Sequence, residues 1–193
     1  MADDSFARFV SLACHDLRTP LATVSGFAHT LRQNEIGQPA DRYVEMIQAA
    51  AGQLADILDD LGLAARIEAG RYSPNVTDAD TLELAQAAAK RVGEKAVAGG
   101  TGAEVLVERD ATERGLAAFA RCALRHGGLE QVELTADGAV IAISPVLENA
   151  GPIILGDDLK DLGAAAARRL VEATGGSVEL VGERLLVDLQ PSS

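Results

Sequence analysis

Val10, Leu17, Val24 and Leu31 recur every seven residues, and Ala13, Pro20 and Phe27 hold the intermediate seat of the same repeat. A seven-residue apolar repeat suits a helix that buries one narrow seam against other helices, and little else. The first element is therefore read as a helix from about Ser5 to Gln33, kinked or locally broken at Pro20, whose ring removes a helical hydrogen bond. A short polar stretch, Asn34 to Gln38, follows, and Pro39 suits the first turn of a second helix. There Val44, Ile47, Ala51, Leu54, Leu58, Leu61 and Ala65 alternate steps of three and four, and Gly70 is a C-terminal stop after Glu68-Ala69. Two long helices joined by a short loop make an antiparallel hairpin with little core of its own. Two copies pairing into a homodimeric four-helix bundle would bury both seams.

The pattern changes after Ser73-Pro74. Thr81 to Val97 reads as a helix capped by Asp80, and Gly99-Gly100-Thr101-Gly102 as a flexible turn. Glu104 to Glu108 reads as a strand, and Thr112 to Arg125 as a helix ending at Gly127-Gly128. Val132 to Thr135 and Ala139 to Ser144 form a hairpin around Ala136-Asp137-Gly138. Leu159 to Thr174 is a helix stopped by Gly175-Gly176, and Ser177 to Val181 with Leu185 to Leu189 closes a second hairpin. The expected fold class is α+β: a long helical hairpin over residues 1–72, then a small α/β sandwich over residues 73–193 with helices on one sheet face.

With 17 basic and 29 acidic residues the net charge is −12. That balance argues against nucleic acid, whose phosphates need clustered Lys and Arg, and against an anionic membrane surface. An apolar share of 48% excludes wholesale disorder. No apolar run is long enough for a membrane span, and the Met1-Ala2-Asp3-Asp4 opening lacks a signal-peptide pattern. Cys14 and Cys122 form no CxxC pair and are expected to be reduced thiols in a cytoplasmic protein.

Against the apolar seam, His15 falls on the opposite, solvent-facing side of the first helix. Thr19 lies four residues on, so its hydroxyl shares that face, and Asp16 flanks it. An imidazole acts as nucleophile when one ring nitrogen is free and a partner holds the other N–H, which a neighbouring carboxylate can do. By itself, an exposed histidine is more often just a solvated one.

The full string Phe9-Val10-Ser11-Leu12-Ala13-Cys14-His15-Asp16-Leu17-Arg18-Thr19-Pro20-Leu21-Ala22 resembles the H-box of two-component sensor histidine kinases of the HisKA type. Ala65-Arg66-Ile67-Glu68-Ala69-Gly70 is similar to the end of that family's dimerisation hairpin. The resemblance implies that His15 is the phosphoacceptor and Asp16 its acid/base partner. It also implies that Thr19 positions the water that dephosphorylates a response regulator, and that Pro20 bends the helix beneath the site. Cys14 stands where the family often has Ser.

The second half resembles the family's ATP-binding domain unevenly. Leu162 to Val178 is similar to the helix and strand after the second glycine box, but the box itself keeps one glycine, Gly163, in Asp158-Leu159-Lys160-Asp161-Leu162-Gly163. Phosphates need bare backbone N–H groups, which glycine permits and Asp opposes by charge. Aligned with the asparagine box, Ala118 and Cys122 stand at the two Asn positions, and neither offers Mg²⁺ a hard oxygen. After Ser144 only Asn149, Gly151 and Pro152 remain of the adenine-side motif, with Glu148 the one acidic substitute.

These readings imply a homodimeric phosphosignalling protein that exchanges a phosphoryl group between His15 and the Asp of a receiver domain, with no cofactor assigned, ATP and Mg²⁺ included. Weak nucleotide-side remnants are Asn149, Gly151 and Gly163. Two alternatives stay open: an active sensor kinase with an atypical ATP pocket, and a non-catalytic dimerisation or receiver-binding module. Among other features, His29 lies about 21 Å along the helix from His15, too far to share a metal. His126 is read as a helix-end cation, and Asp157, Asp158 and Asp161, which could suggest a cation site, are read in preference as a polar loop.

Overall fold

The computed structural model describes residues 2–33 and 40–192, so the expected loop Asn34 to Gln38 and the helix-opening Pro39 lie outside the described residues. The chain divides into two compact units, residues 1–62 and 63–193.

In the first unit α1 (Ala2–Gln33) is a single helix with Pro20 buried inside it. Of the kink or local break expected at Pro20, the break does not occur. The ring deletes the N–H that would meet the Asp16 carbonyl, but long flanking turns with a buried face carry the helix through. The seam of α1 is as patterned: Ala13 and Pro20 are buried, and Val10, Leu17, Val24, Phe27 and Leu31 are half-buried. Phe9 joins them as a fully buried ring. The Phe27 ring stacks on Tyr43 at 5.4 Å, which sets the end of α1 beside the start of α2 (Ala40–Glu68). This is the antiparallel hairpin the heptads require.

On α2 the covered stripe runs through Tyr43, Ile47, Ala50, Leu54, Ile57 and Leu61. Val44, Ala51 and Leu58, also on the predicted seam, are exposed within one chain. Beyond Glu68, Gly70 takes a φ of 63°, a left-handed turn that favours glycine, and ends the helix where the sequence placed the stop.

The second unit contains β1 (Thr77–Asp80), α3 (Thr81–Val92), β2 (Ala96–Gly102), β3 (Glu104–Val107), α4 (Arg109–Gly127), β4 (Val132–Gly138), β5 (Val140–Ser144), α5 (Gly151–Ile154), α6 (Leu162–Ala173), β6 (Ser177–Val181) and β7 (Arg184–Asp188). Five strands form one sheet in the order β2-β4-β5-β7-β6. Its β2–β4 pair is parallel and its other pairs are antiparallel. β1 and β3 form a separate antiparallel pair. Period-2 alternation sets the faces. Val132, Leu134, Ile141, Ile143, Leu185 and Val187 are buried on one face, in register as Leu134↔Ile143 and Ile143↔Leu185. Glu133, Asp137, Glu179 and Asp188 point outward. Leu84 and Ala88 of α3, Phe119 and Cys122 of α4 and Ala164 and Val171 of α6 complete the core. Each large aliphatic side chain buried there contributes about 1.5–3 kcal/mol.

Several boundaries differ from expectation. α3 stops at Val92, not Val97: Gly93 closes it, and the residues from Ala96 enter β2. Gly99 to Gly102 is strand, not a flexible turn. Gly100 lies beside Ala136 of β4, where any Cβ would collide with the Ala136 carbonyl oxygen, so glycine here answers a close backbone approach. The β4–β5 turn shrinks because Ala136 to Gly138 stay in the strand. α6 begins at Leu162, not Leu159, because Asp161 is its N-cap. β1 and α5 carry no helix or strand period long enough to be read.

A second, smaller cluster buries Leu63, Ala111 and Leu170 with Ile67 and Tyr72 packed against them. The Tyr72 hydroxyl donates to Glu108 Oε2 at 2.7 Å. Burial, then that bond, holds the phenol protonated beyond its ordinary range.

Candidate functional site

His15 stands on α1 with its side chain 77% exposed. Its Nδ1 is 3.1 Å from Asp16 Oδ1. A carboxylate accepts, so a hydrogen bond at this distance is donated by a ring N–H at Nδ1, which leaves Nε2 as the nitrogen on the solvent side. That arrangement has the parts a nucleophilic imidazole needs: an accessible ring nitrogen and a carboxylate beside the other one. The carboxylate would also stabilise positive charge on the ring as a bond forms at Nε2.

Thr19, one turn on, is exposed on the same face. It borders a shallow groove with Arg18, Ala22, Thr23, Gly26 and Phe27. Pro20 is buried on the opposite side of the helix from His15. Cys14 is an exposed free thiol and His29 is also exposed.

The nucleotide-side residues are placed differently. Ala118 and Cys122 lie in the buried face of α4. Gly163 is in the first turn of α6. Asn149 is exposed. Gly151 opens α5 and is buried, where a Cβ would meet Leu180 at 2.7 Å, so its small size serves packing.

Asp161 is buried, with its side chain 8% exposed. Its Oδ1 accepts the Ala164 N–H at 3.0 Å, capping α6. Its Oδ2 accepts from Arg125 Nη1 at 3.3 Å and lies 3.6 Å from His126 Nε2. Burial first, then the Asp161 carboxylate, pushes the Cys122 thiol well above its ordinary range. Neither the helix-end reading of His126 nor the polar-loop reading of Asp161 anticipated this grouping. The legible signal was Cys122 and His126 four residues apart, hence on one helical face.

Comparison with known proteins agrees with this anatomy. Residues 7–70 match the family model described as the His Kinase A (phospho-acceptor) domain. The histidine protein kinase DivJ of Caulobacter vibrioides is 30% identical over 195 residues, covering 91% of this chain and 32% of DivJ. The chain thus spans about a third of that relative's length. Acinetobacter baumannii histidine kinase AdeS superposes with a TM-score of 0.66 at 16% identity, over 93% of this chain and 98% of that one. A structure described as that of a bacterial phosphotransferase gives a TM-score of 0.50 at 17% identity, over 97% and 96% of the two chains. Among the described residues no helix is long and apolar enough to cross a membrane. A phosphoacceptor-type helical hairpin that leads into an ATP-binding-like α/β unit places this chain in the two-component sensor histidine kinase family.

Proposed function

We propose that the chain receives a phosphoryl group on His15 Nε2 and exchanges it with the aspartate of a response-regulator receiver domain, its own nucleotide side supplying none. The observation that carries this reading is the exposed ring held by Asp16 at 3.1 Å. In the transfer, the Nε2 lone pair attacks phosphorus, the bond from phosphorus to the receiver's carboxylate oxygen breaks, and the carboxylate leaves. Asp16 keeps the Nδ1 proton and steadies the imidazolium. Such a reaction needs positioning more than covalent assistance, and the reverse step uses the same contacts.

The residues present do not fit Mg²⁺-ATP. Ala118 and Cys122 stand where carboxamides would hold the metal, and Cys122 is fully buried. On the phosphate side, the Asp161 carboxylate is itself buried and takes the Ala164 N–H. It presents negative charge where a phosphate would bring more. Identity to DivJ running through 91% of the chain favours a second reading, an autokinase with an unusual pocket.

Partnering follows from the uncovered half of the α2 seam. Leu58 is 56% exposed and Val44 42%, with Leu21 of α1 at 55%. Val44, Ala51 and Leu58 repeat by sevens, the stripe a second copy would cover in a four-helix bundle. Response-regulator docking would use the exposed face of α1 around His15 and Thr19.

The test mixes the protein with a phosphorylated receiver domain. Label reaching wild type but not His15→Gln is the expected result. No label on His15 and no faster loss from the receiver rejects the reading. Label from ATP and Mg²⁺ on wild type selects the autokinase instead. Thr19→Ala should leave His15 labelling intact and reduce receiver dephosphorylation by roughly 10²-fold, the scale for a lost water-positioning group; unchanged dephosphorylation removes Thr19 from that role.

A further inference from the structure

Cys122 and His126 lie one turn apart on α4, so both side chains leave the same helical face. That face meets Asp161 at the start of α6. One ligand atom from each residue lies within 4.8 Å of the other two, and His126 Nε2 is 3.6 Å from Asp161 Oδ2. In a tetrahedral Zn²⁺ shell, bonds of about 2.0–2.3 Å set donor atoms roughly 3.3–3.7 Å apart. The widest of the present separations lies within 4.8 Å and has to contract by roughly 1 Å to reach that shell. His126 Nε2 is buried and has no hydrogen-bond partner, an uncommon condition for a buried polar atom. The set of sulfur, imidazole nitrogen and one carboxylate oxygen suits a borderline cation and not Mg²⁺, which takes oxygen ligands and keeps its waters.

Charge and access are consistent with this. A thiolate and a carboxylate together balance a divalent ion. Arg125, the competing cation on Asp161 Oδ2, has a side chain 66% exposed and can swing into solvent. Asp161 Oδ1 can keep capping α6 through the Ala164 N–H while Oδ2 serves as ligand.

We propose that Cys122 Sγ, His126 Nε2 and Asp161 Oδ2 form a three-ligand site for Zn²⁺ or a cation of similar thiolate and imidazole affinity, with the fourth position open to water. Binding exchanges the thiol proton for the ion: one proton passes to buffer, one sulfur–metal bond forms, and nothing is oxidised or reduced. The ion would pin the end of α4 to the start of α6.

The test is a Co²⁺ titration of the full, reduced chain in a Cys14→Ser background, which removes the exposed thiol next to His15. The expected result is one tightly held Co²⁺ with a near-ultraviolet thiolate-to-cobalt band and tetrahedral visible bands, displaced by Zn²⁺. Cys122→Ser should abolish the thiolate band while circular dichroism shows the fold retained. His126→Gln should weaken binding at least about tenfold, and so should Asp161→Asn, which keeps an oxygen to cap α6. Absence of the band at millimolar cobalt overturns the proposal. So does a band that survives Cys122→Ser, or an affinity unmoved by the His126 and Asp161 replacements.

Discussion

Among the described residues two histidine–aspartate pairs involve helices, and they face opposite conditions. His15 and Asp16 are neighbours on α1, 3.1 Å apart, with the ring 77% exposed. His126 and Asp161 come from separate helical segments, 3.6 Å apart, with the imidazole side chain 22% exposed and the carboxylate 8%. In the first pair the ring is open to solvent, as the proposed transfer from a bulky phosphorylated partner would require. In the second, the carboxylate caps α6 through Oδ1 and meets Arg125 and His126 through Oδ2, so the pair joins two segments of the second unit. Solvent access separates the two imidazoles, and under the proposed transfer only the exposed one could meet a phosphoryl group.

Replacements at the two pairs should separate cleanly, and the largest effect belongs to α1. His15→Gln is expected to lose phosphoryl acceptance completely while the urea midpoint stays within about 0.5 kcal/mol of wild type, as for an exposed surface change. A large loss of stability would mean the ring is structural after all. Next comes the seam that presents His15. Leu58→Asp would place a carboxylate in the exposed stripe that a second copy would cover, at a cost on the order of 3 kcal/mol or about 100-fold in dimer dissociation. Light scattering reads this as a shift to monomer, and a monomeric wild type would undo the bundle.

At the second pair the effect is one of stability. Asp161→Ala removes the cap on Ala164 and should cost about 1 kcal/mol in urea unfolding. No change would show that the cap is idle. The smallest effect is at Tyr72, whose folded pKa is raised from 10.0 by burial and by Glu108. Its contribution is fully present below pH 10 and is lost as pH climbs beyond that, because only the unfolded chain then ionises. Tyr72→Phe should flatten the alkaline decline of the melting temperature, and an unchanged slope would assign the decline to other groups.

The first unit was legible because its information is local. The heptad fixes the seam, and His15, Asp16 and Thr19 lie within one turn and a half of each other, so spacing alone sets their shared face. Asp80 was readable as a cap for the same reason: it accepts from the N–H groups of Leu82 and Glu83, two and three residues on. The errors came where distant chain decides. Gly100 looks like a turn until the Ala136 carbonyl of a neighbouring strand is known to pass beside it. β1 is four residues whose strand character depends on β3. The grouping of Cys122, Arg125 and His126 with Asp161 joins segments on either side of a whole hairpin, and no periodicity reports such a meeting.

Pro20 remains inside an uninterrupted α1. Its missing amide leaves the main-chain oxygen of Asp16 without the usual rung one turn along. Asp16, whose carboxylate meets the His15 ring, therefore belongs to a less braced step of the helical ladder. A torque applied along α1 would be absorbed there first, tilting the aim of His15 at less cost than the same twist elsewhere on the rod.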